Sequence, residues 1–185
     1  HAQKSGAVSL FLRFALTAAE GFRRFHQTSP AVQLLEEVLA SLDLAPDLPD
    51  SLPGGLTKAG LRRSVSRSLG EIHRQRRDHS RALERYAFLL TLEEQGADLP
   101  RRCETLRILG EISCQKRDYA SGLSFLEKGL EALSGQPHCR EEVETLLSLA
   151  DAHLLRGHLQ RGETTAHRAL DVLEGIGAPE LKGRA

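Results

Sequence analysis

Histidine and cysteine are the residues with which this sequence could do metal or nucleophilic chemistry, and their spacing argues against both. His138 and Cys139 are adjacent, and His153 and His158 are five apart. Two ligands on one helical face need a spacing of three or four. Cys103, Cys114 and Cys139 are an odd number without paired spacing, which predicts free thiols in a reducing compartment rather than a disulfide framework. No glycine-rich phosphate loop with its lysine and no nucleophile elbow occurs. No catalytic residue, metal or cofactor is therefore expected. What remains is ion-pair chemistry. Arg67 stands four residues before Glu71, and Arg107 four before Glu111. On a solvated helix face each such pair is worth only about 0.2–0.5 kcal/mol. The alternative is that these charges line a groove for a peptide or helix carrying both signs.

The elements that must position these residues announce themselves as an echo at a spacing of 40. Leu69-Gly70-Glu71-Ile72 returns as Leu109-Gly110-Glu111-Ile112 and as Leu149-Ala150-Asp151-Ala152. Arg77-Asp78-His79 returns as Arg117-Asp118-Tyr119 and, more loosely, as Gly157-His158-Leu159. A fixed period of this size marks a solenoid of stacked supersecondary units. Helical periodicity runs throughout, and no alternating β-branched run stands out. The pattern predicts helices over about 57–76 and 80–94, 101–116 and 119–133, and 140–156 and 160–174. Their short connections force antiparallel pairs. Asp78 and Asp118 are expected to cap the second helices of their pairs.

The beginning of the chain carries the same logic more weakly. Ala18-Ala19-Glu20 takes the place of Leu69-Gly70-Glu71, so residues 1–43 read as a first, divergent hairpin. Within it Ser29 is expected as a helix cap, with Pro30 at the first helical position. From Ala31 to Ala82 the spacing is 51, about eleven residues longer than the echo. The surplus is the stretch 44–56, whose prolines and glycines exclude a helix interior and predict an inserted loop. That loop is either a tolerated insertion on one face or a docking element. Residues 175–185 fall where a further first helix would begin.

Composition excludes several function classes. The 25 basic and 25 acidic residues cancel, which argues against a nucleic-acid or polyanion binder. The densest basic stretch, Arg62 to Arg85, is interrupted by Glu71, Asp78 and Glu84 and has no aromatic stacking platform. No apolar run is long enough to span a membrane, and no signal peptide appears. The basic residues are mostly arginine, for which a GC-rich genome is the plain explanation. The chain opens on His1 and contains no Met, which suggests a fragment of a larger protein, and the unpaired cysteines suggest a cytoplasmic one.

Leu69-Gly70, His79, Ala82 and Tyr86 follow the order of a tetratricopeptide (TPR) repeat. Leu109-Gly110, Tyr119, Gly122 and Leu126 follow it again, as do Leu149-Ala150, Gly162 and Ala166. Small residues let two helices approach, and large ones fill the gaps. The chain thus resembles a TPR array, with departures in its 40-residue period, its missing Trp and its missing closing Pro. Such long repeats look like those of kinesin-light-chain-like proteins and large bacterial signalling proteins. His1 to Gly6 followed by Phe14 to Glu20 looks like the junction where such arrays follow an ATPase or kinase module.

The resemblance implies an all-α, right-handed α-solenoid of about four antiparallel hairpins: 1–43, 57–94, 101–133 and 140–174. It also implies that the first helix of each pair lines a concave surface. The register then gives an acidic ladder of Glu20, Glu71, Glu111 and Asp151, with Arg67 and Arg107 one turn earlier and Arg74 one turn later. Arg67, Glu71, Arg74, Arg107, Glu111 and Asp151 are the expected partner-binding residues. The carboxylate clamp of chaperone-tail binders is not expected, since acidic residues or Ser68 and Ile108 hold its Asn positions. The implied function is a non-catalytic protein-interaction or scaffold module inside a larger signalling protein, binding a protein, a peptide or another domain of its parent chain. The rival is a ligand-sensing regulatory domain of a bacterial kinase or STAND-type ATPase.

Overall fold

A computed structural model describes residues 10–11, 14–22, 27–44, 51–52, 56–94, 96 and 98–176. The readings placed on 1–9, on 45–50 and 53–55 of the insertion, and on 177–185 lie outside the described residues. The chain divides into two compact units, His1–Leu92 and Glu93–Ala185.

In the first unit α1 (residues 14–22) and α2 (Thr28–Leu44) precede α3 (Lys58–Gln75) and α4 (His79–Glu94). Their core is aliphatic and thin. Ala15 and Ala19 of α1, Ala31, Leu35 and Val38 of α2, and Leu61, Val65, Leu69 and Ile72 of α3 form one buried cluster. On α4, Tyr86 lays its ring against Gly70, where a Cβ would stand 2.8 Å from the ring. Glycine at 70 is therefore a condition of the close α3–α4 approach. Arg62 pairs with Asp43 at 2.6 Å and Arg85 with Glu36 at 3.6 Å.

The second unit contains α5 (Leu99–Gln115), α6 (Tyr119–Leu133), α7 (Arg140–Leu155) and α8 (Leu159–Ile176). One cluster joins α7 to α8 through Val143, Leu146, Ala169, Val172 and Leu173. Another joins α5, α6 and α7 through Cys114, Leu123, Leu126, Leu149 and Ala152. The helix bounds fall within two residues of those expected, because caps and breakers act locally.

The turns that close the hairpins repeat atom for atom. In each, the amide at 78, 118 or 158 donates to the carbonyl five residues back, and the preceding residue is left-handed. That residue is Arg77 (φ 58°), Arg117 (φ 65°) or Gly157 (φ 84°). Asp118 caps α6 as expected, its carboxylate accepting from the Ser121 amide at 3.2 Å. Asp78 likewise accepts from the Arg81 amide at 3.2 Å. Two further caps went unforeseen: Thr57 accepts from Gly60, and Asp98 from Arg101.

Two expectations need correction. Helix α2 begins at Thr28, so Ser29 is not its cap and Pro30 is not its first residue. Ser29 Oγ instead accepts from Arg76 at 2.6 Å, and Thr28 Oγ1 accepts from the same guanidinium at 2.9 Å. An arginine from the α3–α4 turn thus takes both hydroxyls. The insertion is also more than loop: Ser51–Leu52 (β1) pairs antiparallel with Leu56–Thr57 (β2). This minimal ladder ends in Thr57, the cap of α3.

Candidate protein-interaction groove

Helices α5 and α7, the first helices of successive hairpins, run beside an open groove of about 310 Å³. Pro100, Arg101, Glu104 and Arg107 line it from α5, and Arg140, Glu141, Glu144 and Thr145 from α7. The floor is a continuous polar network. Arg107 donates through Nη1 to Glu111 at 2.6 Å and reaches across through Nη2 to Glu144 at 3.2 Å. Arg140 Nε donates to the other Glu144 oxygen at 2.9 Å. Ser148 Oγ donates to Glu111 at 2.7 Å. The network crosses from α5 to α7 twice, so it ties the two hairpins together.

Exposure separates floor from rim. The Arg107 and Glu144 side chains are only 18% and 19% exposed, against 66% for Arg101 and 67% for Arg140. On the rim, Arg101 is held by Asp98 at 3.0 Å.

The first unit uses its charges differently. Arg74 makes a two-point contact with Glu71, at 2.9 and 3.1 Å. Gln75 donates to the same carboxylate at 2.9 Å, and the Tyr86 hydroxyl approaches it at 3.4 Å. Burial alone would raise the Glu71 pKa, but the Arg74 guanidinium and the other donors outweigh it and hold the group below its ordinary value. The Tyr86 hydroxyl is pushed up by burial and by the Glu71 charge. Glu71 thus links α4 to α3. Arg67 bears on the same hydroxyl electrostatically. A separate cavity of about 230 Å³ lies among α1, α2 and α3, with Glu20, Ser64 and Ser68 in its lining.

The structure therefore brings Arg107 and Glu111 together, and Glu71 and Arg74 together. Asp151 stands exposed on α7, as Glu20 does on α1. Glu144, Arg140 and Ser148 were missed by sequence reasoning. The signal was present: Glu104 and Glu144 fall at the same place in the 40-residue register, and Arg140 precedes Glu144 by four. Cys103 and Cys114 are core groups, whereas Cys139 is half-buried at the start of α7. Burial pushes the Cys103 thiol up to about 11 and raises Cys114.

Comparison with solved structures places this arrangement of hairpins. The chain superposes on the signal-transduction ATPase with numerous domains (STAND) that carries a tetratricopeptide repeat sensor, from Pyrococcus horikoshii, at a TM-score of 0.76 and 12% identity. The fold is a tetratricopeptide-type helical array. The match covers 91% of this chain and 25% of the STAND protein. BtubC from P. vanneervenii matches at 0.69 and 19% identity, over 94% of this chain and 65% of that one. The nearly identical TPR-like repeats of a Podosopora anserina kinesin light chain match at 0.68 and 15%, over 90% and 76%. This chain thus spans a quarter of the first of these proteins and about two thirds of the second. No protein-family model matches the TPR-like sequence, and no curated protein resembles it in sequence. At such low identity the resemblance extends to the fold. No described helix is long and apolar enough to cross a membrane.

Proposed function

We propose that this TPR-type array is a non-catalytic protein-interaction module that holds a peptide or partner helix between α5 and α7. The observation that carries this is the lining of that groove: it is open, and three arginines and three glutamates line it. A trough of this kind suits an extended or helical partner bearing charges of both signs, whereas small-molecule sites are concave and mostly apolar. The side chains expected to meet the partner are Arg101, Glu104, Arg140 and Glu141, with Arg107, Glu111 and Glu144 beneath them as supports. Arg67, Glu71, Arg74 and Asp151 belong to the same reading as outlying contacts. Three free thiols support a cytoplasmic setting.

A larger signalling or regulatory protein is the proposed parent, since this chain matches one quarter of a STAND ATPase. That neighbour's repeats are described as a sensor, which favours ligand sensing as a second reading. Selection of displayed peptides against the wild-type chain tests the groove reading. Winners should carry charges of both signs and should lose binding to an Arg101→Glu, Arg140→Glu double variant. Both side chains are about two thirds exposed, and a circular dichroism spectrum and melting point equal to the wild type confirm that the double variant is folded. Selected peptides that bind the double variant unchanged would sink the groove assignment.

A further inference from the structure

Two turns of this array keep a residue type that their backbone disfavours. Among the described residues, Arg77 (φ 58°) and Arg117 (φ 65°) are the only non-glycine residues in the left-handed region. They stand forty residues apart, at the same step of the same turn. Gly157 holds that step in the third hairpin at φ 84°, with the same amide-to-carbonyl bond closing the turn. Glycine therefore builds this turn without the clash that a Cβ brings. Both arginines are exposed, so packing does not explain them. A local rule broken twice, at one register position and by one residue type, points to a role outside folding.

The neighbours of these arginines extend the charge. The turns read Gln75-Arg76-Arg77-Asp78-His79, Gln115-Lys116-Arg117-Asp118-Tyr119 and Leu155-Arg156-Gly157-His158-Leu159. In the first two the carboxylate caps the helix that follows, which leaves a cationic tip. Arg76 of the first unit is taken up by Thr28 and Ser29. In the second unit Lys116, Arg117 and Arg156 are all exposed. Lys116 and Arg117 stay exposed although α7 and α8 follow them, so this edge is not one that a succeeding hairpin covers. Arg156 holds the register position of Lys116 and belongs to the same edge. The bridges from Arg107 to Glu144 and from Glu111 to Ser148 hold α5 and α7 side by side. The turns at their C-terminal ends therefore lie about 8–10 Å apart, the usual spacing of packed helices.

We infer that this edge of the second unit binds an acidic, extended segment of a partner protein, with Arg117 and Arg156 each taking a carboxylate. An arginine presents a planar pair of donors that matches a carboxylate, and it stays charged at any working pH. An extended chain advances about 3.3 Å per residue, so carboxylates three residues apart match the spacing of the two turns. Nucleic acid fits less well: duplex DNA carries a charge about every 1.7 Å, whereas this edge offers a sparse set of cations interrupted by Asp118. An anionic membrane calls for a cluster of about four to eight basic residues. The edge shares no residue with the α5–α7 groove and goes beyond the role proposed for it.

Fluorescence anisotropy tests it with a labelled peptide in which pairs of serines separate glutamates, titrated with the whole chain to about 1 mM, the weak end of specific affinity. The peptide should bind, and its lysine counterpart should not. Arg117→Gly combined with Arg156→Ala should weaken binding at least about tenfold, which two exposed ion pairs can supply. Arg117→Gly relieves the backbone, so a melting point at or above the wild type shows that the loss is not unfolding. The groove variant with Arg101→Glu and Arg140→Glu should bind this peptide as the wild type does. Absence of binding, binding unchanged in the edge variant, or an equal loss in the groove variant overturns the inference. So does a labelled oligonucleotide or a phosphatidylserine vesicle that binds more tightly than the peptide and is lost in the edge variant.

Discussion

Gly122 and Gly129 lie two turns apart on α6, and the same substitution is expected to move stability in opposite directions at the two sites. A Cβ at 122 would collide with Cys114 Sγ and stand 3.0 Å from the Gly110 carbonyl oxygen and 3.3 Å from the Cys114 amide nitrogen. The last two are backbone atoms of α5 and cannot swing aside. Overpacking of this kind costs about 1–3 kcal/mol. Alanine in a helix interior contributes about 0.5–1 kcal/mol over glycine, so Gly122→Ala should be a net loss of up to about 2.5 kcal/mol. At 129 the added methyl would meet Thr145 Cγ2 at 3.4 Å, Leu106 Cβ at 3.7 Å and the Cys103 carbonyl at 4.0 Å. These are ordinary contacts, so Gly129→Ala should gain about 0.5–1 kcal/mol. Thermal unfolding followed by circular dichroism reads the difference, at about 4–8 °C per kcal/mol for a unit of this size. Because repeat arrays can unfold in parts, hydrogen exchange at the α5 and α6 amides should accompany it. Adding Cys114→Ala to Gly122→Ala should recover part of the loss, by removing the sulfur but not the backbone contacts. The packing argument fails if Gly122→Ala melts at or above the wild type, or Gly129→Ala below it.

Other perturbations test the turns and the buried histidines. Arg117 holds φ 65°, so Arg117→Gly should raise stability by about 0.5–1 kcal/mol in urea titration, and Gly157→Ala at φ 84° should lower it by about 1 kcal/mol. Asp118→Ala should lower the urea midpoint by removing the α6 cap, while His158→Asp, at the same register position, should raise it by creating one for α8. His73 and His153 both have lowered pKa values, chiefly because burial disfavours the charged ring. The unfolded chain then binds more protons below an ordinary pKa of about 6.5, so stability rises with pH through that region and falls on acidification. Urea midpoints should drop between about pH 7 and pH 5. The drop should be smaller in His73→Gln, and a midpoint independent of pH would refute the assignment.

Hairpin number, helix bounds and turn positions were legible because their causes lie within a few residues. Asp78 and Asp118 cap whatever helix follows them, and a 40-residue echo repeats one hairpin regardless of what it packs on. The misreadings arose where a distant group intervened. Ser29 looked like a cap until Arg76, from 47 residues away, took its hydroxyl. The acidic ladder looked uniform, yet Glu71 is spent on Arg74, Gln75 and Tyr86 within its own hairpin, whereas Glu111 joins Arg107 to Ser148 of α7. Arg74 has the reach to form that two-point pair, while Cys114, at the equivalent place, packs into the core instead.

By itself the sequence determined which segments are helical, where each hairpin turns and which residues share a register, since periodicity, caps and breakers act over a turn or two. Tertiary structure alone decided which partner each charge takes, which of the register-equivalent side chains lie buried, and that Glu144 and Arg140 belong to the groove. The reason is distance: a carboxylate with several cations within side-chain reach is claimed by the one that helix packing brings to about 3 Å, and that packing rests on small residues such as Gly70, Gly110 and Gly122.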